Sequence, residues 1–207
     1  KTEVKAASDC NGVIHFCENN SSAEIIEYEQ GIYFHRDING FFQANRYLRD
    51  KMIQEVINLS SIETKNTFLD ICSGCGFFTL PLALKTDRGY GFDIDSRSIS
   101  YAKKNAGINR INNVSFYKLS ESEIKPHLYK PDFIVIDPPR SGLSKKGRWT
   151  VNTINQDEII YISCNPSTFS RDLKDFMKNG YKLEKLIFID MFPCTYHIEI
   201  ISLLVKS

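Results

Sequence analysis

Thr67-Phe-Leu-Asp-Ile-Cys-Ser-Gly-Cys-Gly-Phe-Phe-Thr-Leu-Pro-Leu-Ala-Leu-Lys85 is the stretch whose reading decides the fold. Thr67 to Ile71 reads as a strand, Phe78 to Lys85 as a helix, and the segment between them ends in Gly74-Cys-Gly76. Glycines at that junction permit a tight turn and let a ligand approach the backbone at a helix N-terminus. The full G-x-G-x-x-G fingerprint and the G-x-x-x-x-G-K-[ST] loop are both absent, so dinucleotide dehydrogenase and NTPase readings lose ground.

The same alternation continues outward. Gly89 to Asp93 is strand-like and is followed by a helix with Ile99, Ala102 and Ala106 on one face. Val114 to Leu119 reads as a strand, Asp132 to Asp137 as a buried strand, and Glu158 to Ser163 as a third. A helix from Thr168 to Lys178 ends at Asn179-Gly180, and Lys185 to Asp190 and His197 to Val205 form a closing pair of strands. Upstream, Leu48, Met52, Ile53, Val56 and Ile57 recur at helical spacing, which predicts an amphipathic helix over 45–59. Strands alternating with helices predict an α/β protein with a mostly parallel, doubly wound sheet. The closing pair, with no helix between its members, predicts an antiparallel last strand.

Residues 1–40 differ in character. They are polar and carry turn signals at Cys10-Asn-Gly12, Asn19-Asn-Ser-Ser22 and Asn39-Gly40, with short strand-like pieces at Val13 to Phe16 and Ile32 to Phe34. Their apolar mass is too small for an independent core. No internal repeat or low-complexity segment is present. The 207 residues suit one full domain plus a small extra piece. With 26 basic and 25 acidic residues the net charge is +1, which argues against autonomous tight nucleic-acid binding but not against a catalytic module whose RNA grip lies elsewhere. Six cysteines lack the spacing of a secreted disulfide scaffold or a zinc site, and no metal centre is expected. No signal peptide, lipidation motif or apolar run of about 18 residues is found, so no membrane span and a cytoplasmic location are expected. The first residue is Lys1, from which a longer parent chain is expected.

Several strand ends carry reactive groups. Asp93 is placed to accept hydrogen bonds from ribose hydroxyls, and a glycine turn followed by an acidic strand end fits an adenosine ligand. The alternative is that Asp93 caps the helix starting near Ser96. Cys72 and Cys75 form a C-x-x-C pair that reads most simply as two small buried residues within the turn. Asp137-Pro-Pro-Arg140 ends the buried strand: Asp137 can orient a substrate or cofactor, the prolines stiffen the loop, and Arg140 can bind a phosphate or a base edge, or be an ordinary surface residue.

Ser163-Cys-Asn-Pro166 ends the strand over 158–163, where open α/β sheets hold their ligands. Cys164 there is a candidate nucleophile; the competing reading is a buried core thiol. His197 and Glu199 share one face of the last strand. Glu199 is a candidate base if it turns toward Cys164, or half of an exposed salt bridge if it does not.

Together these motifs resemble the S-adenosylmethionine-dependent RNA uracil-5-methyltransferases of tRNA and 23S ribosomal RNA. The resemblance runs from Phe41 onward. It rests on Phe41-Phe-Gln-Ala-Asn45, Asp70 to Pro81, Asp137-Pro-Pro-Arg-Ser-Gly142, Ser163-Cys-Asn-Pro-x-Thr-x-x-Arg-Asp172 and Asp190-Met-Phe-Pro-x-Thr-x-His-x-Glu199. It implies a Rossmann-like methyltransferase sheet, with residues 41–207 as the catalytic domain and residues 1–40 as the tail of a central β domain. By the same resemblance Cys164 is the nucleophile and Glu199 the general base. Gln43, Cys72, Phe77, Asp93 and Asp137 would line the S-adenosylmethionine site. Arg140, from its place at the strand end rather than from the resemblance, is a candidate substrate-binding residue that could stabilise a developing oxyanion. The chain departs from the family pattern at Cys72-Ser73-Gly74, where an aromatic-Cys-Gly is usual, and at Phe77, where Asn or Thr is frequent. The family's RNA-binding barrel and the iron–sulfur cluster of some members have no counterpart in these residues.

The implied chemistry is addition of a thiolate at C6 of uracil, methylation at C5, and removal of the C5 proton by a base. The alternatives are a methyltransferase acting on cytosine C5 or an exocyclic amine, and a cofactor- or RNA-binding module without turnover.

Overall fold

The computed structural model describes residues 4–18, 22–60, 62, 67–195 and 197–207; part of the turn expected at Asn19-Asn-Ser-Ser22 lies outside them. Strands β1 (Val4–Ser8) and β2 (Ile14–Glu18) form one antiparallel hairpin, and β3 (Glu24–Glu29) and β4 (Ile32–Asp37) a second. Helix α1 (Arg49–Leu59) leads into β5 (Thr67–Ile71), α2 (Thr79–Ala83), β6 (Arg88–Asp93), α3 (Ser96–Ile108) and β7 (Val114–Lys118). Then come β8 (Phe133–Ile136), α4 (Lys145–Ile154), β9 (Glu158–Ser163), α5 (Pro166–Lys178), β10 (Tyr181–Ile189) and β11 (Glu199–Lys206).

The main sheet is seven-stranded, in the order β10-β11-β9-β8-β5-β6-β7. Strands β5 to β9 run parallel. The last strand is antiparallel, as expected, but it does not sit at the edge: β11 lies between β9 and β10 and is antiparallel to both. The chain moves outward from β5 through β6 to β7, then returns to place β8 on the other side of β5. The crevice at the carboxyl ends of β5 and β8 is therefore the topological switch point, where ligands bind in such sheets.

Successive strand residues point to opposite faces and feed two cores. Phe68, Phe133, Val135, Ile160 and Ile201 pack with Met52, Ile53 and Val56 of α1 and with Ile99, Ala102 and Ala106 of α3. Leu69, Ile134, Ile136, Ile159 and Leu204 pack on the other face with Val151 of α4 and with Phe169 and Phe176 of α5. The buried strands are apolar on both faces because helices cover both.

Several expectations need correction; the strand expected from Lys185, for one, begins at Tyr181. The helix predicted over 45–59 starts at Arg49, because Asn45 is held in a turn: its side-chain oxygen accepts from the Tyr47 amide at 3.1 Å and its amide donates to the Met191 carbonyl at 3.1 Å. Helix α4 was not anticipated. The strand expected from His197 begins at Glu199. Residues of the second hairpin join the main core: Ile32 and Phe34 pack with Met52 and Ile53. Asn105 of α3 and Asn109 at its C-terminal cap stand in for a neighbouring strand along β4. Asn105 pairs with both backbone groups of His35 at 2.7 and 3.0 Å, and Asn109 with both of Tyr33 at 2.9 and 2.7 Å. An edge strand so covered is protected from pairing with another chain.

Candidate active site

The turn after β5 has Cys72, Gly74 and Gly76 in the left-handed region, with φ of 67°, 54° and 94°. Gly76 is also crowded: a Cβ there would lie 3.1 Å from the Leu80 side chain. The turn is stitched to β6, because the Ser73 amide donates to the Phe92 carbonyl at 2.9 Å and the Gly74 amide to Asp93 Oδ2 at 2.8 Å. The other Asp93 oxygen accepts from the Asp95 amide at 2.8 Å. Capping of α3 falls to Asp95, whose carboxylate accepts from the amides of Arg97 and Ser98. Asp93 thus joins the glycine turn to the end of β6, each of its oxygens keeping a free lone pair.

At the next strand, the Asp137 amide continues the β8–β5 ladder by donating to the Ile71 carbonyl at 3.1 Å. Gln43 Nε2 donates to Asp137 Oδ2 at 3.2 Å, bringing the segment before α1 to the sheet edge. The Asn165 side chain caps α5 through the Ser167 amide, and Pro166 occupies its first turn. The Asn165 amide and the Thr168 hydroxyl both donate to the Arg140 carbonyl at 3.1 Å, which fixes the Pro138–Arg140 loop against Cys164. On β11, Ile200 pairs with Ser163, and Glu199 and Cys164 each lie one step beyond that pair.

These groups surround one cavity of about 630 Å³. Gln43, Cys72, Phe77, Asp93, Asp137, Arg140, Cys164 and Glu199, all anticipated from the sequence, line it. It is also lined by Ser73, Leu119, Ser120, Glu121 and Phe192, which sequence reasoning did not single out. Leu119 to Glu121 follow β7, and their position at a carboxyl strand end was the available signal. Among the six cysteines, Cys75 is buried within the turn and its thiol is pushed up to about 12. Burial also raises the Cys72 thiol well above its ordinary value, so both stay protonated. His197 lies ahead of β11, its ring edge-on to Phe192 at 5.7 Å.

The electrostatics of the cavity are set by burial. Glu199 is 7% exposed, and desolvation lifts its carboxyl to about 7, with Arg140 opposing. Asp137 is pushed well above the carboxylate range by desolvation and then by the Glu199 charge. The Cys164 thiol is raised by desolvation and by Glu199 and Asp137, while the Arg140 guanidinium draws it down by charge and hydrogen bonding. Asp70, fully buried beneath the turn, is raised to about 7 although the Thr79 hydroxyl donates to it. The Ser73 hydroxyl is buried with no hydrogen-bond partner, at a distance of 3.0 Å from where a Cβ on Gly91 would stand.

The strand order and the cavity at the switch point define the class, a Rossmann-like methyltransferase fold. Residues 14–207 match the tRNA (uracil-5-)-methyltransferase family. The chain is 42% identical over 171 residues to an uncharacterized RNA methyltransferase of Aquifex aeolicus, covering 80% of this chain and 39% of that protein. It is 33% identical to the 23S rRNA (uracil(1939)-C(5))-methyltransferase RlmD of Histophilus somni, covering 92% of this chain and 44% of that one. Among solved structures, the Pyrococcus abyssi tRNA (uracil-54, C5)-methyltransferase, in complex with S-adenosyl-L-homocysteine, aligns with a TM-score of 0.79 and 32% identity, over 94% of this chain and 47% of that chain. The chain therefore belongs to the tRNA (uracil-5-)-methyltransferase family, and it spans about two fifths of the length of these curated relatives. Among the described residues no helix is long and apolar enough to cross a membrane.

Proposed function

We propose that this chain is the catalytic part of an enzyme that transfers a methyl group from S-adenosylmethionine to C5 of a uridine in tRNA or ribosomal RNA. Residues 41–207 form its catalytic domain, and residues 1–40 are the tail of a preceding β domain. The main RNA grip lies outside this chain, and the enzyme works in the cytoplasm, where a catalytic thiol stays reduced. One observation carries the proposal: the Cys164 thiol, just past β9, and the Glu199 carboxyl, lifted to about 7 at the start of β11, line the same cavity as Asp93 and the glycine turn.

The cavity suits the cofactor. Asp93 offers lone pairs to a ribose, and Gly74, which lines the cavity and where a Cβ would meet nothing within 4 Å, lets a ligand lie against backbone. The apolar wall of Phe77, Phe92 and Leu119 suits a purine. When bound, S-adenosylmethionine supplies the electrophilic methyl group that C5 accepts.

The protein's own groups do the rest. Cys164, as thiolate, adds through Sγ to C6 of the uracil, and the C5–C6 π electrons move toward C5 and O4, making C5 nucleophilic. Arg140 favours the thiolate, and Gln43 holds the Asp137 side chain at the wall of the cavity. After methylation the Glu199 carboxylate takes the C5 proton. The released pair restores the double bond and expels Cys164 as thiolate. A carboxyl near 7 is matched to that task at neutral pH.

Glu199→Gln is expected to trap a covalent RNA–protein adduct on a denaturing gel, and Cys164→Ala to abolish both adduct and 5-methyluridine formation measured by mass spectrometry. Methylation of uridine by the Cys164→Ala variant would sink the proposal. A product other than 5-methyluridine would favour a different target atom.

A further inference from the structure

The edge of the cavity formed by Phe42 and Gln43 is held from behind by a buried ionic cluster. Arg49 is 5% exposed, and its neighbours Glu27, Glu29 and Arg36 are also buried. Its Nη1 donates to Glu27 Oε2 at 2.9 Å and to Glu29 Oε1 at 3.1 Å, while its Nε donates to the Gln43 carbonyl at 2.6 Å. The guanidinium also lies 4.6 Å from the centre of the Phe42 ring, which packs in turn on Phe77. Glu27 keeps a second partner, Arg36 Nη2, at 2.8 Å.

A buried ion pair adds little net stability, because desolvation offsets the attraction. What this one does geometrically is specific. The planar guanidinium uses separate edges for the carboxylates of β3 and for the Gln43 peptide, a fork that lysine cannot reproduce. Fixing that peptide fixes where the Gln43 amide emerges, and this amide reaches Asp137 at 3.2 Å. We infer that Arg49 is a positioning residue for the cofactor- and base-binding edge of the cavity, with Glu27 and Glu29 setting its guanidinium, so that hairpin β3–β4 takes part in shaping the site. The inference rests on the methyltransferase reading only for what the edge binds.

The test uses Arg49→Met/Glu29→Gln, which leaves the Glu27–Arg36 pair intact and no unpaired buried charge. Hydrogen exchange of the peptide spanning 40–48 is expected to speed at least about tenfold, with β5 and β8 unchanged. The Kd for S-adenosylhomocysteine, by calorimetry, is expected to rise about tenfold, or about 1.4 kcal/mol. Should the double variant fail to melt cooperatively, Arg49→Lys, which keeps a charge between the carboxylates, is expected to give the same direction of change in exchange. Wild-type exchange at 40–48 in a folded variant would overturn the inference, whatever the cofactor data. Failure of the parent chain to bind S-adenosylhomocysteine would instead count against the functional reading, with exchange still deciding the role of Arg49.

Discussion

Glu199 opens β11 and Cys164 follows the last residue of β9, each one step beyond the Ile200–Ser163 pair, and both line one cavity. Their charges are linked: the Glu199 carboxylate helps push the Cys164 thiol up, and Arg140 acts on both in the opposite sense.

The first prediction concerns pH and stability. The Glu199 carboxyl titrates near 4.5 when unfolded and near 7 in the fold. Between those values the folded chain holds a proton that the unfolded chain has released, so stability falls as pH rises through this window. The loss is on the order of 3 kcal/mol. Glu199→Gln removes it, whereas Asp70, lifted to about 7, contributes to both proteins alike. Urea unfolding at pH 5 and pH 8 is expected to show the variant losing less stability; equal losses would refute the assignment.

A second prediction concerns the thiol. Arg140 is exposed but draws Cys164 toward ionisation. Arg140→Met is expected to shift the pH profile of Cys164 alkylation by iodoacetamide to higher pH, followed by peptide mass spectrometry. A profile that moves down or stays would show that the guanidinium does not act on the thiol.

Third, a Cβ at Gly91 would lie 2.5 Å from the Phe116 ring and 3.0 Å from the Ser73 hydroxyl. Gly91→Ala should cost about 2–3 kcal/mol by overpacking, lowering the thermal midpoint by roughly 4–12 °C in a domain of this size. An unchanged midpoint would mean that the β6–β7 contact yields easily.

Fourth, Asp172 is fully buried and accepts from the Tyr161 hydroxyl at 2.6 Å, the Leu143 amide at 2.9 Å and the guanidinium groups of Arg148 and Arg171. Asp172→Ala removes one buried carboxylate that the Tyr161 hydroxyl, the Leu143 amide and two guanidinium groups share, although Arg148 keeps Asp175, and should cost about 3–5 kcal/mol. Tyr161→Phe leaves the cations paired and should cost about 1.5–3 kcal/mol. Chemical denaturation of both variants checks the order; a larger loss in Tyr161→Phe would contradict it.

The fold was legible where burial and polarity agree. Strands 67–71 and 158–163 fall within their expected bounds because both faces are covered and the residues are almost all apolar. Strand β3 was hidden because Glu27 and Glu29 look like surface residues and are buried only by virtue of Arg36 and Arg49. Helix α4 was hidden because Lys145-Lys-Gly-Arg148 opens it, Trp149 faces outward, and its apolar contribution to the core is mainly Val151 and Ile154. The candidate site was legible at strand ends, where chain order alone delivers Cys72, Asp93, Asp137 and Cys164 to one edge of the sheet. Arg49 was not legible, since its relation to Gln43 depends on β3 folding back beneath them. Nor does alternation reveal that β11 slips between β9 and β10 instead of adding at the edge.

That insertion has a consequence for how the site comes into being. A ribosome delivers Cys164 just after β9 and before it delivers Glu199, and β9, which already pairs with β8, gains its second neighbour only when β11 arrives. Until then a nascent chain can form the cofactor-facing half of the cavity, yet it presents the thiol without the carboxylate assigned to complete its reaction cycle. Under the proposed addition–elimination cycle, RNA engaged at that stage would be held as a dead-end adduct, so the order of synthesis would favour an enzyme that meets its substrate only after the last strand is seated.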